Sequence, residues 1–205
     1  MHDVKPALVL DAMGVIYQAA DDVAELLIPF VTGRGGAQDG AAITDAYMKA
    51  SRGELTAESF WKTVGLTRAE EDEYLSGHRL MPGLLELLAS ARQTFGAVWC
   101  LSNDVSEWSA ALRKTFKLEE LFDGWVISGD VRYRKPSAPI YEILRTRLGS
   151  TDRPVVFVDD RLANLAPARC LGMHTIRFGG ERIDSDELHA KDMSELTGRL
   201  HSLFG

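Results

Sequence analysis

Three aspartates and a lysine in this 205-residue sequence stand where they could act on a charged substrate. Asp11 directly follows the apolar residues 7–10, and Asp159 and Asp160 directly follow a second apolar run. Lys135 lies in the connection that precedes that second run. Clustered carboxylates repel one another unless a cation lies among them, and hard oxygen ligands of this kind favour Mg²⁺. We therefore expect a magnesium site whose negative charge Lys135 also offsets.

Ser102 and Asn103 follow a third apolar run and complete a set of residues suited to phosphoryl transfer. With its charge offset by Lys135 and a metal ion, the Asp11 carboxylate could attack a phosphorus atom and form an aspartyl-phosphate. The Ser102 hydroxyl and a neighbouring backbone N–H could donate to a phosphoryl oxygen. Positioning and charge neutralisation are the main demands of this reaction. The expected substrate is a small phosphorylated metabolite.

The elements that must position these residues alternate between strands and helices. Five apolar runs predict buried strands, at residues 7–11, 97–101, 125–128, 154–158 and 174–178. Continuous apolar runs are typical of a parallel sheet that is covered on both faces. Amphipathic helix patterns lie between the runs, and the last of them predicts a C-terminal helix over residues 186–204. The sequence therefore predicts an α/β fold with a doubly wound parallel sheet.

Residues 18–80 interrupt this alternation, because they contain no strand-like run. Four helices are predicted there, at residues 20–31, 41–51, 57–64 and 69–77. A helical block inserted directly after the first strand would lie over the carboxyl edge of the sheet, where open α/β sheets bind ligands. We therefore predict a core formed by residues 1–17 and 81–205, and a helical cap formed by residues 18–80.

Charge and composition disfavour several classes of partner. The formal net charge of −7 opposes non-specific binding to nucleic acid and to anionic membranes. No apolar run approaches the roughly 20 residues that a membrane-spanning helix needs. The N-terminal residues lack the long apolar segment of a signal peptide. We expect a cytoplasmic protein with a small-molecule substrate and with no nucleic-acid or membrane partner. The sequence does not determine the oligomeric state.

The two cysteines favour packing over chemistry. Cys100 and Cys170 each lie in an apolar segment, and their spacing does not match that of metal ligands. Free cysteines are among the residues most often buried in proteins. We therefore expect both thiols to be reduced and buried, as is usual in a cytosolic protein.

Four segments of the sequence together resemble the motifs of the haloacid dehalogenase superfamily of hydrolases. In chain order they are LVLDAMGVIY, CLSND, RKPSAPIYEIL and VFVDDRLANLAPARCLGMHTIRF. Residues 52–61 and 80–88 resemble the cap and cap-exit segments of the phosphatase-like branch that carries a small helical cap. The resemblance covers essentially the whole chain. It implies a Rossmann-like core with an inserted, all-helical cap.

The resemblance also implies a role for each candidate residue on the phosphate side of the site. Asp11 corresponds to the family's nucleophile. Ser102, with Asn103 beside it, and Lys135 correspond to the residues that bind the transferred phosphate.

The resemblance further implies how the metal would be held. Asp160 corresponds to a direct Mg²⁺ ligand, Asp159 supports it, and Asp11 and the backbone carbonyl of Met13 complete the protein's share of the coordination. Asn164 corresponds to a residue that steadies the metal-binding loop.

Met13 is where the sequence departs from the family pattern. Most phosphatases of the family carry a second aspartate at this position, which protonates the leaving oxygen and later deprotonates the attacking water. A thioether does neither, and losing general acid–base catalysis typically costs about 10²- to 10⁴-fold in rate.

Four interpretations of Met13 follow. Hydrolysis persists if the leaving group needs little protonation, as in an acyl phosphate, or if the cap supplies the proton from His78, Lys49 or Tyr47. Alternatively, the protein is a 2-haloacid dehalogenase, because those relatives also lack the second aspartate and a departing halide needs no proton. The retained acidic pair Asp159 and Asp160 argues against this second interpretation, since those enzymes are metal-free.

The third interpretation is cleavage of a carbon–phosphorus bond through an imine on a cap lysine, either Lys49 or Lys62. The residues around both lysines do not match the cap motif of that subgroup, and both are expected to be solvated. The fourth interpretation is a binding module that keeps the metal site and turns over little or no substrate.

Overall fold

A six-stranded parallel β-sheet forms the centre of the molecule in a computed structural model that describes residues 4–149, 153–183 and 188–205. The strands are β1 (Ala7–Leu10), β2 (Ala97–Ser102), β3 (Gly124–Ile127), β4 (Val155–Asp159), β5 (His174–Phe178) and β6 (His189–Ala190). Their order across the sheet is β3-β2-β1-β4-β5-β6, and every pair is parallel. The predicted α/β fold with a Rossmann-like parallel sheet is confirmed.

Helices cover both faces of the sheet. After the first strand come α1 (Ile28–Gly33), α2 (Gly40–Ala50), α3 (Ala57–Thr63) and α4 (Glu71–Leu75). The others are α5 (Leu84–Thr94), α6 (Ser106–Thr115), α7 (Ser128–Val131), α8 (Ala138–Arg147), α9 (Leu162–Cys170) and α10 (Met193–Phe204). A π-helix (Val23–Leu27) precedes α1, and a 3₁₀-helix (Arg68–Glu70) precedes α4.

Alternate residues of the central strands enter two separate apolar cores. On β1, Leu8 and Leu10 belong to the larger core and Val9 to the smaller one, and all three are fully buried. Side chains of successive strand residues point to opposite faces, so a strand covered on both sides must be apolar throughout. The continuous apolar runs in the sequence therefore identified the strands to within about one residue at most ends.

The C-terminal segment differs from its prediction as an uninterrupted helix over residues 186–204. Residues 186 and 187 lie outside the described residues, and His189 and Ala190 form a strand beside β5. The helix begins at Met193, where the Asp192 side chain accepts a hydrogen bond from the Glu195 backbone N–H at 2.9 Å. An N-cap of this kind starts a helix, because it satisfies a donor that has no partner within the helix.

The predicted helical block lies between β1 and α5, where every regular element except two isolated bridges is a helix. The chain leaves and re-enters the core through a pair of adjacent segments. The Gln18 backbone N–H donates to the Arg79 carbonyl at 2.9 Å, and the Met81 N–H donates to the Ile16 carbonyl at 2.8 Å. We call residues 18–80 the helical insertion. The boundaries of the predicted cap domain stay a prediction.

A buried aromatic cluster packs the helical insertion against α6. Trp108 of α6 lies between rings of the insertion, with centroids 5.0 Å from Phe60, 5.4 Å from Trp61 and 5.0 Å from Tyr74. The indole N–H groups of Trp61 and Trp108 both donate to Oε2 of Glu71, each at 2.9 Å. Glu71 therefore satisfies two buried donors, one from each side of this interface.

The cysteine prediction is confirmed for one residue and wrong for the other. Cys100 lies buried in β2, whereas Cys170 is exposed at the end of α9. Cys170 lies on the exposed face of α9, because only one face of an amphipathic helix packs against the core.

None of the helices in the described ranges is both long and apolar enough to cross a membrane.

Candidate active site

The predicted site residues converge at the carboxyl edge of the sheet. Leu10 of β1 pairs in register with Cys100 and with Val158, so the three central strands end at nearly the same level. Asp11 directly follows the end of β1, and Ser102 and Asp159 are the last residues of β2 and β4. Parallel strands bring their carboxyl ends to one edge, which places all three side chains around a single point.

The side chain of Lys135 lies between the carboxyl ends of β1 and β4. Its Nζ atom is 2.7 Å from Oδ1 of Asp11 and 2.7 Å from Oδ2 of Asp159. All three side chains are buried. Burial lowers the pKa of Lys135, but the two adjacent carboxylates outweigh it and raise that pKa above its usual value. The lysine is therefore a fixed positive charge beside the candidate nucleophile.

Opposing effects act on the Asp11 carboxyl group. Burial and the negative charge of Asp159 raise its pKa well above the usual value, whereas the charge and the hydrogen bond of Lys135 lower it. The Ala12 backbone N–H also donates to Oδ1 of Asp11 at 2.6 Å. The anionic form of Asp11 therefore depends on the positive charge that faces it.

The Asp159 carboxylate is held from several directions. Nδ2 of Asn164 lies 3.0 Å from each of its oxygens, and the Arg161 backbone N–H donates to Oδ1 at 2.8 Å. With Lys135 as a further donor, both oxygens of Asp159 have partners. This saturation suits the supporting role predicted for Asp159 better than a direct catalytic one.

Asn103 contacts the main chain of Lys135. Its Nδ2 donates to the Lys135 carbonyl at 2.9 Å, and the Lys135 backbone N–H donates to Oδ1 of Asn103 at 2.8 Å. The amide thereby ties the end of β2 to the lysine-bearing loop. The predicted contact of Asn103 with a phosphate stays a prediction.

The three aspartates form a group that suits a divalent cation. Asp11, Asp159 and Asp160 each offer a carboxylate oxygen, and these oxygens lie within 4.8 Å of one another. Oδ1 of Asp160 is buried and has no hydrogen-bond partner among the described residues. Gly14 leaves room for this carboxylate, because an added Cβ would lie 2.8 Å from Oδ2 of Asp160. Several hard oxygen donors, one of them unpaired, fit Mg²⁺.

A cavity of about 230 Å³ lies between the sheet edge and the helical insertion. Asp11, Ser102 and Lys135 line it from the core, and Asp22 and Tyr47 line it from the insertion. The Oγ atom of Ser102 is buried and has no hydrogen-bond partner among the described residues. A free hydroxyl at the floor of the cavity is available to a ligand, and a cavity of this volume accepts only a small one.

Met13 lines the same cavity and is buried, so its thioether lies at the site itself. Of the suggested substitute proton donors, only Tyr47 also lines the cavity, and its hydroxyl donates to the Asn103 carbonyl at 3.1 Å. His78 is buried outside the cavity lining. Lys49 is exposed and paired with Asp45.

Lys62 is likewise exposed, and its Nζ atom lies 2.7 Å from a Glu58 oxygen. Neither Lys62 nor Lys49 lines the cavity. The interpretation that requires a cap lysine as an imine former therefore receives no support from the geometry.

The sequence reasoning missed several residues that line the cavity, among them the charged residues Asp22 and Arg134. Asp22 lies in the acidic segment before the π-helix, where a carboxylate is ordinarily a helix cap. Arg134 directly precedes Lys135, and its guanidinium lies 5.5 Å from the centroid of the Tyr47 ring. The sequence could have suggested Arg134, because it is adjacent to the candidate site residue Lys135. Nothing in the sequence around Asp22 indicated a place in the site.

One comparison with known proteins identifies a family for this chain. A model of the haloacid dehalogenase-like hydrolase family matches residues 6–172. A curated relative, drimenol cyclase from Aspergillus calidoustus, is 35% identical over 85 residues, which is 42% of this chain. The matched stretch spans only 14% of the length of that relative.

Solved structures of the same fold include phosphatases and dehalogenases. A haloacid dehalogenase-type phosphatase from Thermococcus onnurineus is similar with a TM-score of 0.73, at 20% identity, over 95% of this chain and 97% of that one. An L-2-haloacid dehalogenase from Xanthobacter autotrophicus has a TM-score of 0.68, at 18% identity, over 98% and 100%. A family enzyme from Bacteroides thetaiotaomicron, in complex with magnesium and inorganic phosphate, has a TM-score of 0.70, at 20% identity, over 89% and 98%. Identities this low show a shared fold alone.

Proposed function

The chain belongs to the haloacid dehalogenase-like hydrolase family, and from this we propose that it is a Mg²⁺-dependent phosphatase that uses Asp11 as its nucleophile. Its substrate is a small phosphorylated metabolite. The observation that carries the proposal is the position of Lys135, 2.7 Å from both Asp11 and Asp159, at the floor of a cavity that is also lined by Ser102, whose hydroxyl has no hydrogen-bond partner among the described residues.

Charge neutralisation explains how Asp11 could attack an anionic group. A phosphoryl group and a carboxylate repel each other, and the Lys135 ammonium reduces that repulsion because it already contacts the carboxylate. Ser102 would donate its unpaired hydroxyl to a phosphoryl oxygen, which gives the substrate a second anchor. Both groups are held in place, because Ser102 is buried at the end of β2 and Lys135 is buried in a loop whose main chain is hydrogen-bonded to Asn103.

The acidic residues give the site its predicted cofactor. Asp11, Asp160 and the backbone carbonyl of Met13 would hold Mg²⁺, with Asp159 in support. The ion, when bound, would neutralise charge on the phosphoryl group and among the carboxylates. Lys135 by itself does not balance three clustered aspartates, which is why a second cation is proposed.

Dehalogenation is a second candidate, favoured by the apolar side chain of Met13 in the cavity. The halide that leaves an alkyl halide needs no proton, so a thioether at this position does not slow that reaction. Asp160 weighs against it, because the unpaired Oδ1 of Asp160 is a ready cation ligand that a metal-free reaction leaves unused.

A turnover panel separates these functions. The purified protein is assayed on alkyl phosphates, acyl phosphates and 2-haloacids, with Mg²⁺ and with EDTA, beside Asp11→Asn and the exposed control Asp72→Asn. Phosphate release that requires Mg²⁺, survives in Asp72→Asn and disappears in Asp11→Asn supports the phosphatase. Metal-independent halide release that disappears in Asp11→Asn establishes the dehalogenase. No turnover with any substrate overturns both and favours a binding module.

A further inference from the structure

The phosphatase chemistry leaves one chemical demand unmet at residue 13. An alkoxide leaving group must gain a proton, and the water that later attacks phosphorus must lose one. The side chain of Met13 does neither, although it lies in the cavity beside Asp11. A second acidic residue that reaches the same cavity would meet this demand.

Asp22 is such a residue. It lines the cavity from the helical insertion, and it is only 5% exposed. Its Oδ2 atom has no hydrogen-bond partner among the described residues. A buried carboxylate oxygen without a partner is costly and uncommon in proteins, unless it serves a ligand or a reaction.

We propose that Asp22 exchanges the proton in this reaction, in the role that most phosphatases of the family give to an aspartate at position 13. This inference rests on the proposed phosphatase function. In the first step an oxygen of Asp11 bonds to phosphorus, the bond from phosphorus to the ester oxygen breaks, and that oxygen takes its electron pair and the proton of Asp22. In the second step Asp22 accepts a proton from water as the water oxygen bonds to phosphorus. The aspartyl-phosphate bond then breaks, which regenerates Asp11 and releases inorganic phosphate.

The surroundings of Asp22 suit both steps. Burial and the charge of Asp21 raise its pKa to about 6, against the opposing effects of the Arg161 charge, a hydrogen bond from the Val23 backbone N–H and the Arg134 charge. Near pH 6 the carboxyl group is therefore at the midpoint of its titration, where it both donates and accepts a proton readily. Among the described residues, Tyr47 on α2, Tyr74 on α4 and Asp104 after β2 also interact electrostatically with Asp22.

The alternatives within the cavity are weaker. Asp21 is exposed, and its Oδ1 accepts a hydrogen bond from the Ala24 backbone N–H at 3.1 Å. Tyr47 is also a poorer candidate, because burial raises the pKa of its phenol well above the usual value and its hydroxyl already donates to the Asn103 carbonyl.

The test is the dependence of turnover on the leaving group. The purified protein, Asp22→Asn and Asp72→Asn are assayed with Mg²⁺ on an alkyl phosphate, whose leaving oxygen needs a proton, and on acetyl phosphate, whose leaving group does not. We expect Asp22→Asn to lose about 10²- to 10⁴-fold in kcat/KM on the alkyl phosphate and less than about tenfold in kcat/KM on acetyl phosphate, because kcat/KM reports the step in which the leaving group departs. Asp72→Asn, an exposed carboxylate outside the cavity lining, should match the parent on both substrates.

A second substitution provides rescue. Placing an acid at the family's usual position, by Met13→Asp in the Asp22→Asn background, should restore at least about tenfold of the lost alkyl-phosphatase activity. The pH profile supplies an independent readout, since the limb near pH 6 in the parent should move or vanish in Asp22→Asn. If Asp22→Asn does not fold, Asp22→Ser replaces it in every comparison.

The outcomes also separate this inference from the phosphatase proposal. Equal losses in kcat/KM on both substrates, or no loss on either, would overturn the role of Asp22 while Asp11-dependent phosphate release still stands. A parent protein that releases no phosphate from either substrate overturns the phosphatase itself, and this inference falls with it.

Discussion

Asn103 makes two hydrogen bonds with the main chain of Lys135, one to its carbonyl at 2.9 Å and one from its N–H at 2.8 Å. The pair joins the end of β2 to the loop before α8, and so it sets where the lysine side chain begins. The ammonium group then lies 2.7 Å from two carboxylates. The position of the positive charge at the site therefore depends on a residue that does not itself carry a charge.

Removing this amide should misplace the lysine. In Asn103→Ala we expect kcat/KM to fall about 10- to 100-fold, because small displacements of a catalytic group are costly. The free energy of unfolding should fall by about 1–3 kcal/mol, since backbone groups of Lys135 lose their partners. Steady-state kinetics and urea unfolding measure both effects. Activity and stability equal to those of the parent would show that Lys135 is held by other contacts.

Removing the lysine charge should destabilise the fold at neutral pH. Lys135→Met leaves Asp11 and Asp159 buried without a cation, which costs about 3–5 kcal/mol. The pKa of Asp11 is already raised by burial, and without Lys135 it should rise further. The folded state would then bind a proton more tightly than the unfolded state, so stability falls as pH rises.

Urea unfolding at pH 5 and at pH 8, without added metal, checks this prediction. The deficit of Lys135→Met relative to the parent should be larger at pH 8 than at pH 5. Lys62→Met is the matched control, because Lys62 is exposed and its ion pair with Glu58 is worth little. A deficit that does not change with pH would contradict the electrostatic explanation.

Replacing Asp22 should stabilise the protein. The pKa of Asp22 is raised from 3.8 to about 6 on folding, so the folded state binds the proton more tightly and stability is lost as pH rises from about 4 to about 6. Above that window Asp22→Asn removes the penalty, a gain of about 1–3 kcal/mol. The gain should vanish near pH 4, where the carboxyl group is protonated in both states.

Thermal unfolding of the parent and of Asp22→Asn at pH 4, 6 and 8 gives the comparison. Asp72→Asn, which removes an exposed carboxylate, should show no such pH-dependent gain. An Asp22→Asn variant less stable than the parent at pH 8 would show that the carboxylate is compensated in the folded state. A gain in stability together with a loss of turnover is the usual pattern for a functional group held at a structural cost.

Glu71 should stabilise the fold, because its carboxylate accepts hydrogen bonds from two buried indole N–H groups. Glu71→Leu leaves the N–H groups of Trp61 and Trp108 buried without an acceptor, which we expect to cost about 2–4 kcal/mol. Glu71→Gln keeps a carbonyl oxygen at this position and should lose less. Because the ring of Trp108 stacks on Tyr47, a wall of the cavity, KM should rise as well.

Chemical unfolding and tryptophan fluorescence measure the loss. Asp72→Leu, an exposed position on the same helix, is the control for the change in charge and volume. Equal stability of Glu71→Leu and Glu71→Gln would mean that the two indole N–H groups find other partners.

The fold was largely predictable because each central strand is buried on both faces and is therefore apolar throughout. β5 was predicted with its observed bounds, and the other four predicted strands are displaced by about one residue at one or both ends. β6 was not predicted, since two residues at a sheet edge carry no periodic pattern. Asp11, Ser102 and Asp159 were predicted as one group, because strands that run parallel bring their ends together.

The side of the site formed by the helical insertion was not predictable in the same way. The sequence identified the insertion and suggested His78, Lys49 and Tyr47 as groups from it, and only Tyr47 lines the cavity. Asp22, which does line it, has the sequence context of an ordinary helix cap. Which face of a short helix lines a cavity depends on how several helices pack together. The spacing of residues within one helix does not predict that packing.

The sequence by itself therefore determined the α/β fold, the family and the acidic edge of the sheet, because regular strands turn residue position directly into position in space. Only the tertiary structure decided that Lys135 contacts both Asp11 and Asp159, that Asn103 holds its main chain, and that the buried Asp22 lines the same cavity as Met13. Those relations join segments far apart in the chain, and the distances between such segments are set by packing rather than by local conformation.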